Sequence, residues 1–293
     1  MIGTKRSAAG LLLCLWAGAT AAQSAIDVAS GDDALARGAY LLNAGGCIAC
    51  HTAEDGEELA GGRPLVSPFG TFYAPNITAD PVNGIGNWTE EQFVRAFQEG
   101  ISPQGTHYYP AFPYTSYTGI SATDLEAIQT YILSRPGNSR ANQPHDLVWY
   151  ASWRLLLAIW KALYFRPVRF EPEPQQTDSW NRGAYLVRHL GHCGECHTPR
   201  NALGAMRADK ELSGAPGFGE AKAAPNITPD QDGTGQWSNT DWEIFLEIGM
   251  LPNGDFAGGE MGVVVDENTA LLTAEDRATM IEYLRSARPV AND

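Results

Sequence analysis

Two short stretches of the sequence share one pattern: GGCIACHTAE, which begins at Gly45, and GHCGECHTPR, which begins at Gly191. Each contains the pentad Cys-x-x-Cys-His. Its members are Cys47, Cys50 and His51 in the first stretch and Cys193, Cys196 and His197 in the second. The 293-residue chain has five cysteines, and the fifth, Cys14, lies near the N-terminus. Every cysteine beyond it therefore belongs to a pentad.

The spacing within the pentad suits covalent attachment of a haem. On a helix, positions i, i+3 and i+4 lie on one face, so the two thiols and the imidazole point the same way. The thiols add to the two vinyl groups of the haem, and the imidazole then meets the iron. Two pentads predict two covalently bound haem c groups. The predicted attachment residues are Cys47, Cys50, Cys193 and Cys196, and the predicted iron ligands are His51 and His197.

Two other interpretations of the four cysteines stay open at this point. An oxidising compartment would favour two disulfides, and four nearby thiolates would form one zinc site. Neither interpretation uses the histidine that follows each cysteine pair.

The N-terminal residues predict a secretory signal peptide. Lys5 and Arg6 precede a mostly apolar run from Ala8 to Ala19, and small residues follow it, which is the pattern of a cleaved export signal. We expect residues 1–22 to be removed and the mature protein to be periplasmic. The formal net charge of −14 argues against nucleic acid as a partner, because its phosphates would be repelled.

The chain also repeats itself. RGAYLLNAGGCIACHT, from Arg37, matches RGAYLVRHLGHCGECHT, from Arg182, and APNIT occurs at Ala74 and again at Ala224. Apolar residues at helical spacing close each copy, and strand signals are scarce, so we expect an all-α fold. The repeat predicts two homologous domains. The predicted parts are domain one at 30–138, a linker at 139–178 and domain two at 179–293.

An apolar helix is expected in the linker, over residues 147–165. Arg154 and Lys161 interrupt it, and charges at these positions would be unfavourable in lipid. We therefore expect an amphipathic helix that packs between the domains or against a partner, with its tryptophans as an interaction face.

Each copy resembles a class I cytochrome c domain. Almost the whole chain beyond the signal is similar to the cytochrome c subunits of periplasmic alcohol, gluconate and fructose dehydrogenases and of some molybdenum hydroxylases. The stretches that carry the likeness are FGTFYAPNIT from Phe69, GISPQGTHYYPAFPYTSYTG from Gly100, RGAYLVRHLGHCGECHTPRN from Arg182 and GDFAGGEM from Gly254. Those subunits usually have three haem domains. The resemblance implies two tandem class I cytochrome c domains joined by an apolar helical linker.

For the second haem, Met261 is the predicted sixth ligand. A haem that only transfers electrons takes a second protein ligand, whereas an open iron binds small molecules. The methionines beyond the signal all lie in the second copy, and they are Met206, Met250, Met261 and Met280. Met261 lies in the Gly-rich stretch GDFAGGEM, which is where class I cytochromes place this ligand.

For the first haem, His107 is the predicted sixth ligand. Alignment of the copies places Phe112 opposite Met261, and phenylalanine has no atom that binds iron. His107 lies shortly before Phe112, and similar subunits with PAFPY resemble His/His sites at this position. The alternative is an iron without a sixth ligand. If both ligand predictions hold, the first haem has the lower potential, because a thioether raises the potential relative to an imidazole.

Two further sets of residues are expected near the haems. Arg63, Trp88 and Trp237 are candidates to donate hydrogen bonds to haem propionates, with core packing as the alternative for the tryptophans. Pro64 and Pro216 are candidates to hold the proximal imidazoles through a backbone carbonyl, as such prolines do in similar cytochromes.

These features predict a periplasmic dihaem cytochrome c that relays electrons from a dehydrogenase to the respiratory chain. We expect a dehydrogenase subunit as donor, a cytochrome, quinone or oxidase as acceptor, and membrane association only through the partner. Two other functions stay open, namely a dihaem enzyme of the peroxidase or thiosulfate dehydrogenase type and a non-haem binding module held by disulfides. Thiosulfate dehydrogenases use a cysteine as haem ligand, and none remains here once both pentads are used.

Overall fold

Helices form most of the regular structure in the computed structural model, which describes residues 34–217 and 222–292. The predicted signal peptide at 1–22 lies outside the described residues. The helices are α1 (Ala34–Ala44), α2 (Cys47–His51), α3 (Glu90–Glu99), α4 (Tyr114–Tyr117), α5 (Ala122–Ser134), α6 (Arg154–Tyr164), α7 (Asp178–Tyr185), α8 (Gly194–His197), α9 (Asn239–Ile248), α10 (Gly259–Glu267) and α11 (Ala274–Ser286). A π-helical turn at Leu186–Leu190 continues α7, and 3-10 turns lie at Ala208–Lys210 and Thr269–Leu271. The expectation of a helix-dominated fold is confirmed.

A small antiparallel sheet is the exception to the all-α expectation. Its strands are β1 (Pro64–Ser67), β2 (Gly70–Tyr73) and β3 (Asp146–Leu147), in the order β1-β2-β3. Gly70 lies opposite Leu147, and a Cβ atom on Gly70 would lie 2.3 Å from the carbonyl oxygen of Asp146. Because β3 belongs to the linker, the sheet fixes the linker to the first copy.

The first and last helices of each copy cross in the same way. In the first copy, a Cβ atom on Gly38 of α1 would lie 2.1 Å from the carbonyl oxygen of Ala127 and 2.7 Å from Cβ of Tyr131, both on α5. In the second copy, a Cβ atom on Gly183 of α7 would lie 2.9 Å from Cβ of Tyr283 on α11. A glycine and a tyrosine therefore meet at both crossings, and the missing side chain lets the helices approach closely.

Two matching polar bridges join the copies. Each consists of an arginine and an aspartate from one copy and a tyrosine from the other. Their members are Arg37, Asp124 and Tyr185 in one bridge and Arg182, Asp276 and Tyr40 in the other. Tyr40 Oη donates to Asp276 at 2.6 Å, and Tyr185 Oη donates to Asp124 at 2.5 Å. The hydrophobic core is also continuous between the copies, with Leu42 and Tyr185 both in it.

The linker helix is shorter than expected. Residues 146–147 form β3, and α6 begins only at Arg154, so the predicted helix over 147–165 is wrong in its first part. Lys161 is buried, and its ammonium donates to the carbonyl oxygens of Glu99 and Gly100 at the C-terminal end of α3, where a cation is favourable. Burial lowers the pKa of Lys161 to about 8.

The outer face of α6 is apolar and exposed. Its exposed side chains are Leu155, Leu156, Ile159, Leu163 and Tyr164, and Trp149 and Trp153 precede them. Among the described residues, no helix has the length and apolar character required to cross a bilayer. The amphipathic character expected for the linker helix is therefore present. As expected for a helix between the domains, Lys161 bonds to the first copy and Trp160 Nε1 donates to the carbonyl of Leu203 in the second.

Candidate haem sites

The two proximal histidines are held in the same way. His51 Nδ1 lies 2.7 Å from the carbonyl oxygen of Pro75, and His197 Nδ1 lies 2.8 Å from that of Pro225. A carbonyl only accepts hydrogen bonds, so each ring carries its proton on Nδ1 and keeps the Nε2 lone pair for a metal. Burial lowers the pKa of both histidines, which favours the neutral form that binds iron.

The carbonyls that hold the histidines are not those expected from the sequence. We expected Pro64 and Pro216, whereas the acceptors belong to Pro75 and Pro225 in the repeated APNIT. The chain after the first pentad reverses, with the N–H of Gly61 donating to the carbonyl of His51, and this reversal returns Pro75 to the pentad. The recurrence of APNIT was the signal that pointed to these prolines.

The four cysteines of the pentads are free thiols in the structure. Burial raises the pKa of Cys47 and that of Cys193 to about 12, so both thiols are protonated at neutral pH. Among residues 34–217 and 222–292, no three His, Cys, Asp or Glu side chains converge as a metal site.

A cavity of about 340 Å³ lies beside the first pentad. Cys47, Cys50 and His51 line one side of it. The remaining walls are mainly apolar and include Leu65, Phe72, Ile77, Ile85, Trp88, Phe93, Phe97, Tyr109, Phe112 and Tyr117. Two thiols and a neutral imidazole at the edge of an apolar cavity are the groups that a covalently attached haem requires, so the residues present fit this cofactor.

The predicted sixth ligand of the first haem does not line this cavity. His107 is half-buried, its main chain pairs with Ile101, and its carbonyl accepts from Arg154 at 2.8 Å. Burial and then the charge of Lys161 lower the pKa of His107. A linker histidine, His145, lines the cavity instead. Sequence analysis gave His145 no role, because nothing local shows that the linker returns to the first copy.

The structure places the three residues expected near the propionates in different surroundings. Trp88 lines the cavity. Arg63 does not, and it forms an ion pair of 2.8 Å with Glu260 of the second copy. Trp237 packs against Trp242, with ring centroids 4.9 Å apart, and its propionate role in the second copy stays a prediction. Of the three candidates, Trp88 is the one that the structure places at the first site.

At the second site, Met261 lies in the first turn of α10 and is half-buried against the core. The Gly-rich stretch before it forms the turn in which Met250 pairs with Phe256. In the first copy, Ile101 pairs with His107 in the corresponding turn. The structure therefore confirms that the aligned loops are equivalent in the two copies.

The two pentads face each other across the contact between the copies. A Cβ atom on Gly46 would lie 3.7 Å from Cε1 of His192, and these residues directly precede the two pentads. The hydroxyl groups of Thr115 and Ser116, in α4 of the first copy, donate to Glu195 between Cys193 and Cys196. The two candidate haem sites are therefore neighbours.

A helical fold in which each of two Cys-x-x-Cys-His helices presents a carbonyl-held histidine defines a c-type cytochrome. The profile of the Cytochrome c family matches residues 35–136. A diheme cytochrome c-type protein of Cereibacter sphaeroides is 41% identical over 94% of this chain and 96% of its own length. The chain belongs to the cytochrome c family.

Two further relatives are subunits of dehydrogenases. The gluconate 2-dehydrogenase cytochrome c subunit of Pantoea cypripedii is 36% identical over 94% of this chain, which spans 64% of that subunit. The fructose dehydrogenase cytochrome subunit of Gluconobacter japonicus is 40% identical over 86% of this chain, which spans 52% of that subunit. The chain thus matches about half to two thirds of these longer proteins.

Proposed function

We propose that this protein is a periplasmic dihaem cytochrome c that relays electrons from a dehydrogenase to the respiratory chain. The observation that carries the proposal is the pair of adjacent pentads, each with its histidine held by a prolyl carbonyl. The match to a diheme cytochrome c-type protein along 94% of the chain supports the count of two haems.

The residues take the following roles in this proposal. Two tandem domains, at 30–138 and 179–293, each hold one haem, which supplies a one-electron Fe(III)/Fe(II) couple when bound. Cys47, Cys50, Cys193 and Cys196 anchor the haems, His51 and His197 are the proximal ligands, and Met261 is the sixth ligand of the second haem. His107 stays a prediction for the sixth position of the first.

Electrons pass between the copies without a third cofactor, because the pentads are neighbours across their contact. The polypeptide sets the direction through its ligands: a thioether from Met261 stabilises ferrous iron more than an imidazole does. The first haem therefore accepts electrons from the donor, and the second passes them to a cytochrome, quinone or oxidase.

The donor in this proposal is a dehydrogenase subunit that covers the exposed apolar face of α6. Relatives of this chain are cytochrome subunits of gluconate and fructose dehydrogenases. Lys161, on the buried side of α6, bonds to the first copy, and Arg154 at the start of α6 lines the first cavity. A partner on this face would therefore dock next to the first haem.

A peroxidase or thiosulfate dehydrogenase function is not favoured. The relatives are named as cytochromes or as subunits of other dehydrogenases, and both pentads use their cysteines for attachment. Electron relay needs no catalytic acid, base or nucleophile from this chain.

Two measurements on the protein purified from the periplasm test the proposal. Mass spectrometry is expected to give the mature chain plus two haem groups, and a redox titration is expected to resolve two potentials. A colourless protein with the mass of its amino acids alone would overturn the function. Two haems of equal potential would overturn the proposed direction of transfer and leave the relay intact.

A further inference from the structure

We propose that the linker binds the propionate carboxylates of the first haem through Arg154 and His145. This inference rests on the proposed function, because it requires a haem attached to Cys47 and Cys50. It gives the segment between the two copies a role at the cofactor, in addition to joining the domains.

Linker residues line the first cavity together with β2 and the segment around Tyr109. His145 directly precedes β3 and lies opposite Phe72 of β2, with ring centroids 5.3 Å apart. The guanidinium carbon of Arg154 lies 4.5 Å from the ring centroid of Tyr109. Gly46, which directly precedes the first pentad, lies near His192 of the second copy.

This placement matches the chemistry of haem c. Its thioether bonds form at the two former vinyl groups, and its two propionates lie on the other two pyrrole rings, at the far edge of the porphyrin. The carboxylates of a haem held by Cys47 and Cys50 would therefore lie across the cavity from the thiols, and we assign the linker donors to them. Gln143, His145 and Arg154 all line the cavity from that segment.

The charges around the cavity favour carboxylates on the linker side. Among the described residues, the lining contains one arginine, Arg154, and no lysine, aspartate or glutamate. Arg154 Nη1 donates to the carbonyl of His107 at 2.8 Å, and the guanidinium has further N–H groups. None of the ion pairs within residues 34–217 and 222–292 involves Arg154. Arginine N–H groups form strong charge-assisted hydrogen bonds with carboxylates.

The hydrogen bond of His145 makes it a donor towards the cavity. The N–H of Tyr73 donates to His145 Nδ1 at 3.2 Å, so the neutral ring carries its proton on Nε2. An Nε2–H group donates to a carboxylate and has no lone pair for iron.

The same hydrogen bond argues against His145 as an iron ligand. Tyr73 precedes Pro75 by two residues, and the carbonyl of Pro75 holds His51. From the N–H of Tyr73 to the carbonyl of Pro75, three extended residues span at most about 10 Å. That length is too short to pass around the porphyrin edge and hold two imidazoles on opposite faces.

The sequence also suggested Arg63 and Trp88 as propionate partners. Arg63 pairs with Glu260 and is absent from the cavity lining. Trp88 lines the cavity, and its indole N–H is a third donor that the proposal accommodates.

The test uses the full-length holoprotein and the potential of each haem. Removing the cation leaves a propionate charge uncompensated, which stabilises ferric iron. In Arg154→Gln, the equilibrium constant for reduction of one haem is expected to fall at least tenfold. For a one-electron couple this lowers the potential by about 59 mV. Arg154→Lys is expected to recover part of the fall. The other haem keeps its potential.

The matched control is Arg169→Gln. Arg169 lies on the same linker and also donates to a backbone carbonyl, that of Thr118 at 3.1 Å, but it does not line the cavity. Both potentials are expected to stay unchanged in this variant. An equal fall in Arg169→Gln, or none in Arg154→Gln, would overturn the inference.

His145→Leu separates a propionate donor from an iron ligand. Loss of a donor is expected to lower the same potential while the electron paramagnetic resonance spectrum of the ferric haems keeps its low-spin signals. A change of spin state in one haem would show that His145 binds iron and would overturn its proposed role. In all variants the mass must include two haems, because a lower number would contradict the proposed function instead.

Discussion

Single side chains orient the groups that bind the cofactor. The Nδ1–H of His51 donates to Pro75, and that of His197 donates to Pro225, at 2.7 Å and 2.8 Å. Such a bond fixes the tautomer, orients the ring and makes Nε2 a better electron donor to a metal. The same hydrogen bond in both copies gives the two candidate haem sites equivalent proximal sides, so distal ligands are expected to set any difference between them.

The first prediction concerns the sixth ligand of the second haem. Met261→Leu is expected to remove the thioether, convert one of the two haems from low to high spin and open it to small ligands such as cyanide. Optical and electron paramagnetic resonance spectra of the ferric protein measure this change. Met280→Leu is the control, because Met280 is buried in the core of α11. Identical spectra for both variants would contradict the assignment.

The second prediction concerns Asp276 and acid. Burial raises the pKa of Asp276, but the hydrogen bond and charge of Arg182 outweigh it, so the pKa lies below its ordinary value of 3.8. A carboxyl group with a lowered folded pKa stabilises the fold above its unfolded pKa, and this contribution is lost as pH falls through the folded pKa. Asp276→Asn is expected to lower the free energy of unfolding by about 3 kcal/mol at neutral pH, because buried Arg182 loses its partner.

Urea unfolding at neutral pH and near pH 3 checks this prediction. The variant is expected to differ less from the wild type at the lower pH, because the contribution of Asp276 starts to be lost below its unfolded pKa. Asp209→Asn serves as the control, because the Asp209 side chain is 64% exposed and solvent screens its pair with Arg207. An equal loss in the two variants would contradict a buried role for Asp276.

At the scale of the helices, a few residues determine where a helix begins and how closely two helices cross. Thr89 accepts from the N–H of Gln92 at the start of α3, and Ser238 accepts from that of Asp241 at the start of α9, so each pair forms a capping box. The close crossings depend on one glycine in each copy. Length and caps therefore place the helices, while a missing Cβ atom determines how closely they pack.

The third prediction tests the crossing of α1 and α5. In Gly38→Ala, the new Cβ atom would lie 2.1 Å from the carbonyl oxygen of Ala127, and a helix backbone cannot move away without separating the pair. We expect a loss of at least about 3 kcal/mol, at the upper end of overpacking effects. Gly258→Ala, where no atom lies within 4 Å, is expected to change stability by at most about 1 kcal/mol. Thermal or urea unfolding distinguishes the two.

The fourth prediction concerns the exposed face of α6. Leu155 and Leu163 are 74% and 68% exposed, so glutamate at both positions is expected to leave fold and haem spectra unchanged. A charge in an apolar interface is unfavourable, so reduction of the haems by the purified donor dehydrogenase is expected to slow at least tenfold. Val82→Glu, at a position 84% exposed outside the linker, is the control. Equal rates in all three proteins would exclude this face as the docking surface.

For the molecule as a whole, the copies form one hydrophobic core with two exchanged tyrosines. Tyr40 and Tyr185 each leave their own copy and donate to the aspartate at the start of the last helix of the other. The same contact brings the pentads together through Gly46 and His192. One surface between the copies thus contains both the exchanged tyrosines and the contact between the pentads.

The fifth prediction tests this surface. Tyr185→Phe leaves buried Asp124 with one hydrogen bond fewer, so we expect a loss of about 1–3 kcal/mol in a single cooperative unfolding transition of both copies. Tyr164→Phe is the control, because the Tyr164 side chain is 41% exposed on α6. Two separate transitions in the wild type would contradict a shared core.

The repeat, the pentads and the capping pairs were readable because they are local: neighbouring residues on one or two helical turns determine them. The partners of the histidines were not local. His51 meets Pro75 after a chain reversal, and His145 reaches the first cavity only because β3 pairs with β2. The spacing of residues along the sequence does not show which distant segments come into contact in this way.

By itself, the sequence determined that this chain is a c-type cytochrome with two pentads, since attachment chemistry needs only a fixed spacing on one helical turn. The tertiary structure decided which carbonyl holds each histidine, that His145 rather than His107 lines the first cavity, and that the two sites adjoin. These are contacts between residues far apart in the chain, and only the packing of helices and the pairing of strands brings them together.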